Sequence, residues 1–144
     1  MDSLQIETVD YQNEIAAIAQ IRTTVFQQEQ GISAELEFDG QDASAIHLLA
    51  YLDNKAVGTA RIREIDANTA KIERLAVLPE VRKQGIGRKL METALKVISD
   101  CNKSSVIVHA QEYIASLYQQ LGFVVVGEKF NEASITHVKM VKQL

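Results

Sequence analysis

An apolar-alternating strand from Thr69 to Val77, the chain's only proline at Pro79 and the run Val81-Arg82-Lys83-Gln84-Gly85-Ile86-Gly87-Arg88-Lys89-Leu90 follow one another directly. Ile86, Leu90, Ala94, Val97 and Ile98 then recur at helical spacing. The order is therefore strand, glycine-containing loop, helix. A helix start presents unpaired N–H groups and the positive end of the helix dipole, so a diphosphate docks there without a side chain for every oxygen. Arg82, Lys83, Arg88 and Lys89 concentrate positive charge in a chain of net charge -4. A solvated basic helix start is the competing reading of the same residues.

Two common phosphate motifs do not fit. A P-loop needs Gly, four residues, then Gly-Lys and Ser or Thr, and no such string occurs. A dinucleotide fingerprint wants Gly or Ala where this chain has Leu90.

The rest of the pattern predicts a strand Leu4 to Val9, a helix from about Asn13 to Gln28 with the stripe Ile15, Ile18, Ala19, Ile21, Val25 and Phe26, and an irregular acidic segment Ser33 to Asp42. Strands at Ile46 to Leu52, Ala56 to Ile65 and Thr69 to Val77, separated by polar turns, predict an antiparallel meander. Helix Gly85 to Ser99, strand Ser105 to Ala110, helix Glu112 to Leu121 and strands Phe123 to Glu128 and Ile135 to Val141 complete a mixed α/β (α+β) chain with one central sheet. At 144 residues, with 47% hydrophobic residues and no linker, repeat or low-complexity tract, residues 1–144 read as a single domain.

Composition also excludes. No apolar run reaches the ~18–20 residues of a membrane span, and Met1 to Gln5 lacks the order of a secretory leader, so a cytoplasmic protein is expected. The acidic balance argues against a broad nucleic-acid footprint. Cys101 is the only cysteine and cannot form an internal disulfide. His47, His109 and His137 fall on separate strands without metal-ligand spacing, so no metal is expected.

The spacing Arg82-x-x-Gly85-x-Gly87 after Ile72-Glu73-Arg74-Leu75-Ala76-Val77 resembles the acetyl-CoA-binding motif of the GNAT acetyltransferase superfamily. Tyr113 to Phe123, a helix carrying Tyr118 and ending in Gly122-Phe123, resembles the family's second cofactor motif. Ile21-Arg22-Thr23-Thr24-Val25-Phe26-Gln27-Gln28-Glu29-Gln30-Gly31-Ile32 is similar to the opening of a small bacterial branch, so the likeness covers essentially the whole chain. The resemblance implies acetyl-CoA (coenzyme A) as cofactor and a slot where the strand Lys71 to Val77 splays from the strand Val106 to Ala110. It places Leu75, Ala76 and Val77 against the pantetheine arm, and Arg82, Lys83, Gln84, Gly85, Ile86, Gly87 and Arg88 at the pyrophosphate.

The implied chemistry is direct acetyl transfer to an amine in a ternary complex. An alkyl amine of pKa ~10.4 must lose a proton before it attacks a thioester, so a base or a desolvated site is needed. Glu73 resembles the family's carboxylate at that place, deprotonating or orienting the acceptor; by alternation it shares a face with Leu75 and Val77. Its competing reading is a strand glutamate paired with a neighbour such as Arg74. Tyr118 resembles the donor that protonates the leaving thiolate, and its competing reading is a core tyrosine on the stripe Ile114, Leu117, Tyr118 and Leu121.

Acceptor contacts are expected from Arg22, Glu29 and His109, although Arg22 and Glu29 also suit structural roles and His109 reads first as a hydrogen-bonded structural histidine. Glu35, Glu37, Asp39 and Asp42 could attract a cationic amine, and a solvated acidic loop is the simpler reading. Cys101, beside Asp100 and without a basic partner, does not suit a covalent acyl carrier. The expected partner is a small-molecule amine. A protein or peptide amine, a noncatalytic acyl-CoA-binding sensor, and a homodimer formed through the last strands all remain compatible with these residues.

Overall fold

The computed structural model describes residues 3–144. One eight-stranded sheet organises them, in the order β1 (Leu4–Val9), β2 (Ile46–Leu52), β3 (Lys55–Glu64), β4 (Thr69–Val77), β5 (Ser105–Gln111), β8 (Ile135–Gln143) and β6 (Val124–Val125), with β7 (Phe130–Glu132) pairing on β8. Strands β1 (Leu4–Val9), β2 (Ile46–Leu52), β3 (Lys55–Glu64) and β4 (Thr69–Val77) form the expected antiparallel meander. The β2–β3 turn is tight because Asp53 and Asn54 both take positive φ, 51° and 68°, which suits short polar side chains.

In β3 every residue from Val57 to Ile62 is buried, so both faces of this strand are covered. Helix α3 (Ile86–Asp100) covers one face through Ile86, Leu90, Met91, Ala94 and Ile98. Its approach is close: a Cβ on Gly58 would lie 3.0 Å from Leu90 Cδ1. Helix α1 (Tyr11–Arg22) packs against β2, β3 and β4 through Ile18 and Ile21 and is capped at its start by the Asp10 side chain. Ile15, expected on the same stripe, is 42% exposed.

The predicted first helix does not run straight to its end. From Thr23 to Glu29 it continues as wide π turns that bury Val25 and Phe26, and Ser33 then caps the short α2 (Ala34–Glu37). π turns are rare and concentrate at functional sites.

Strand β5 (Ser105–Gln111) enters beside β4 in the only parallel pairing described. That pairing covers three positions, Thr69–Ser105, Ala70–Val106 and Lys71–Ile107. Beyond Lys71 the two strands part, while β4 stays paired to β3 and β5 to β8 (Ile135–Gln143). The splayed slot expected from resemblance is present.

A second irregularity lies on the same stretch. Arg61 pairs with Glu73 and Thr59 with Ala76, so Arg74 and Leu75 together stand against Ala60 as a bulge. Arg74 takes φ 56°, an uncommon conformation for a long side chain. The bulge breaks the alternation assumed between Glu73 and Leu75.

The C-terminal part departs most from the pattern. The helix expected over Glu112 to Leu121 divides into a 3₁₀ turn, Glu112–Ile114, and α4 (Ala115–Gln120). The strand expected over Phe123 to Glu128 shrinks to β6 (Val124–Val125), and β7 (Phe130–Glu132) forms a hairpin with β8 that the pattern did not predict.

Candidate active site

A cavity of about 620 Å³ opens where β4 and β5 separate. One end is the loop into α3 with Val81, Arg82, Lys83, Gly85, Ile86 and Gly87; the middle is Ile72 to Val77; the other end holds Lys71, Glu73, His109, Glu132 and His137. Residues 72–77 keep one backbone edge free of strand partners, so the N–H and C=O groups on that edge are available to an extended ligand, apart from Val77 O, which accepts from Arg82. Thus the cavity connects a basic, glycine-containing end to a charged, histidine-containing end.

At the first end Gly85 takes φ 79° and Lys83 φ 66°, which turns the chain sharply into α3. A Cβ at Gly85 would meet nothing within 4 Å, leaving room for a phosphate group against the helix N-terminus. These features fit the diphosphate of coenzyme A. Gln84 and Arg88 do not line the cavity, and the Arg88 guanidinium donates to Gln120 Oε1 at 3.2 Å. Leu75, Ala76 and Val77 all line it.

The side chains of Arg82 and Glu29 occupy each other. Arg82 donates to Val77 O at 3.0 Å and to Glu29 through both terminal nitrogens, one at 2.6 Å. Glu29, expected to touch the acceptor, instead ties the π turn to the phosphate loop and does not line the cavity. The Arg82 hydrogen bonds hold its carboxyl below the usual range. From the same segment Gln30 exchanges hydrogen bonds with Gln111 on β5, at 2.9 and 3.4 Å. The π turn therefore straps both sides of the slot.

Arg22 requires a correction. It is 1% exposed, does not line the cavity, and donates to Glu37 Oε1 at 3.1 Å and Asp42 Oδ1 at 2.7 Å. A buried guanidinium must have its donors satisfied, and with Glu37 O and Oε2 accepting from Nη2, all three of its nitrogens are engaged within the protein. The acidic segment is not simply solvated either: Glu37 and Asp42 are 2% and 6% exposed. Arg61, fully buried, donates to Asp39 at 2.8 Å, to Asp42 Oδ1 at 2.9 Å and to Glu73 Oε1 at 2.7 Å. The carboxylates of residues 37–42 anchor their loop on two buried arginines.

Glu73 lines the cavity but is heavily paired. Besides Arg61 it accepts from Arg63 Nε and lies 3.3 Å from Lys71 Nζ. Burial alone would raise its carboxyl pKa, yet the Arg63 hydrogen bond and the Arg61 and Lys71 charges outweigh that and lower it. Such a carboxylate is a weak base.

Tyr118 is 5% exposed and lines the cavity, with its ring edge-on to Phe123 at 5.9 Å. Burial raises its phenol pKa further above the ordinary value, so the hydroxyl stays protonated at neutral pH. The ring thus sits in the core while the side chain forms part of the cavity wall.

Glu132 and His137 were missed by sequence reasoning. Glu132 lies on β7, and His109 Nδ1 and His137 Nε2 are 3.5 and 3.6 Å from its two oxygens. Phe130 meets both imidazoles, edge-on at 5.1 Å from His109 and stacked at 5.8 Å on His137. The only sequence signal was the short polar interval before Ile135, which did not announce a hairpin. Among the described residues no group of three or more His, Cys, Asp or Glu side chains could hold a metal ion, and no helix is long and apolar enough to cross a membrane.

Residues 10–144 match the family model of the acetyltransferase (GNAT) domain. A Bacillus subtilis (strain 168) protein named as an acetyltransferase is 34% identical over 143 residues, covering 97% of each chain. The crystal structure of a Lactobacillus plantarum protein described as an N-acetyltransferase superposes with a TM-score of 0.90 at 26% identity over 99% of each chain. A GNAT family acetyltransferase from Elizabethkingia anophelis, solved with acetyl-CoA bound to it, shares the fold with a TM-score of 0.77 at 17% identity over 98% of each chain. The slot between β4 and β5, the phosphate-sized loop before α3 and these likenesses agree: this chain belongs to the GNAT acetyltransferase family.

Proposed function

We propose that residues 1–144 form one N-acetyltransferase domain that moves an acetyl group from acetyl-CoA to the amine of a small molecule, in a ternary complex without an acyl-enzyme. The observation that carries this reading is a continuous cavity from the α3 N-terminus, past the unpaired edge of β4, to Glu73 and Tyr118. When bound, acetyl-CoA supplies the activated acetyl group as a thioester.

The protein's part is to bind, orient and manage protons. Backbone N–H groups around Gly85 to Gly87, with Lys83 nearby, receive the diphosphate. The free edge of Leu75 to Val77 pairs with the amide-bearing arm, which fixes the carbonyl carbon along the slot. Glu73, ionised by its three cationic neighbours, orients the acceptor instead of deprotonating it. Tyr118 holds a proton at its hydroxyl for the departing sulfur. Cys101 is exposed and outside this cavity, which supports direct transfer.

A thermal melt with acetyl-CoA, CoA, ATP and NAD tests the donor first. Ligand at a hundred times its dissociation constant adds about 2.7 kcal/mol, or roughly 5–10 °C at this chain length. A shift with both CoA species alone supports the reading, and no shift with either removes it. Release of free CoA thiol that depends on an added amine then separates a transferase from a sensor of acyl-CoA.

A further inference from the structure

Glu73 is saturated by cations, so the proton of an incoming ammonium needs another destination. The same cavity supplies one. We propose that Glu132, seated between His109 and His137, forms with them the proton-accepting group for the acceptor amine; this rests on the acetyltransferase reading above.

The tautomer of His137 carries the argument. Its Nδ1 lies 2.7 Å from Ile135 O, and a carbonyl only accepts, so Nδ1 carries a hydrogen. In the neutral ring Nε2 then has a lone pair, and that lone pair faces Glu132 Oε2 at 3.6 Å. A lone pair set against a carboxylate is an invitation to a proton. His109 stands on the other side, its buried Nδ1 3.5 Å from Glu132 Oε1. With both rings neutral the three residues carry one negative charge, and the lone pair at His137 Nε2 is the vacancy for a proton beside it.

The backbone holds the cluster in place at a cost. Glu132 pairs with Ile135 across the two-residue turn Ala133-Ser134, whose φ angles are 51° and 62°. That turn favours Asn and Gly, and Ala and Ser there are strained. Ala133 lines the cavity beside Glu132, so the strained turn lies on the cavity wall. The charged groups around the cluster are Lys71 and Glu73 on β4, Arg63 on β3 and Lys139, which stands opposite His109 on β8. The neighbouring His109 foremost, and least the Lys71 charge on the β4 side, hold the Glu132 carboxyl below its usual range.

The protons balance as follows. The acceptor ammonium gives one proton to the cluster, which passes it to solvent. The freed amine nitrogen forms its bond to the acetyl carbon as the carbon–sulfur bond breaks, and its surplus proton reaches sulfur by way of Tyr118. The products are the amide, CoA thiol and one released proton.

The test compares two acceptors that emerge from a primary-amine screen: an alkylamine, protonated at neutral pH, and an arylamine, already neutral there. Glu132→Gln should lower kcat/KM for the alkylamine on the order of 10²-fold at pH 7 and turn its profile into a rise that continues toward the amine's own pKa. The arylamine should lose less than about threefold, because it has no proton to shed before attack. Glu132→Asp should restore part of the alkylamine rate. Nitrogen-15 spectra of the free protein give a second reading: His137 Nδ1 should carry hydrogen, and protonation should register at His109 and His137 together in the wild type but separately in Glu132→Gln. Equal losses for both amines, or an unchanged alkylamine profile, overturn the proposal while leaving the transferase intact. A wild-type protein that acetylates nothing in the screen overturns the transferase reading, and this one with it.

Discussion

Arg82 and Glu29, fifty-three positions apart, meet in a two-pronged ion pair that joins the phosphate loop to the segment after α1. The pair is more than a third exposed on each side, so its strength is bounded by solvent screening at about 1 kcal/mol. A double-mutant cycle with Glu29→Gln and Arg82→Gln, read as acetyl-CoA affinity by calorimetry, should give a coupling no larger than that, shrinking as salt is raised. A coupling of several kcal/mol would mean that the pair holds the loop in its binding conformation.

Donor affinity should depend more on backbone than on side chain along β4. Val77→Pro removes an N–H at the end of the free edge and should abolish acetyl-CoA binding, whereas Leu75→Ala should cost less than tenfold. Denaturant melts of both variants separate lost binding from lost folding. Retained binding in the proline variant would displace the arm from this edge.

Removing the Tyr118 hydroxyl should leave the donor's dissociation constant nearly unchanged and lower kcat on the order of 10². The ring is packed against Phe123, so Tyr118→Phe keeps its shape and isolates the proton. Steady-state kinetics across pH make the comparison, and an unaltered kcat removes Tyr118 from the chemistry.

Glu73→Gln should act on stability and acceptor KM without removing the acidic limb of the kcat/KM profile. The folded carboxyl titrates below its unfolded value, so its contribution is present above the unfolded pKa and is lost as pH falls through the folded one. The substitution leaves Arg61 and Arg63 short of one anionic partner and should lower the melting temperature by several degrees at pH 7. Loss of the limb with the melting point intact would return Glu73 to the role of base.

Acid should also weaken the fold through His47. This side chain is 1% exposed, donates from Nε2 to Asp42 O at 2.8 Å and stacks on Tyr11, and burial lowers its pKa. The unfolded chain then binds a proton at a higher pH than the folded one, so stability falls as pH drops through roughly 6.5 and below. Melts between pH 7.5 and 5 should show the decline, and His47→Asn should flatten it relative to its own starting point.

What could be read from the chain follows from how local the determinants are. The meander and α3 were legible because alternation and helical spacing are written in consecutive residues, and Gly85 marked the loop through its backbone requirement. Motif resemblance added the slot, which no periodicity contains. Arg22 was misplaced because its partners, Glu37 and Asp42, come from a segment whose charges read as solvated. Glu132 stayed invisible for a related reason: β7 is three residues long and its turn is built from Ala133 and Ser134, neither of which signals a hairpin.

The junction of β4 with β5 carries one more implication. Three residue pairs join the meander, which brings the phosphate loop and Glu73, to the C-terminal strands, which bring His109 and His137. A donor bound as proposed would lie along this short seam, beside the π-turn strap, as a strut between the two halves. If the strut matters to the reactive centre, the donor is expected to add before the acceptor. Slower hydrogen exchange on both sides of the seam when acetyl-CoA is added would register the strut, and unchanged exchange there would leave the order to other contacts.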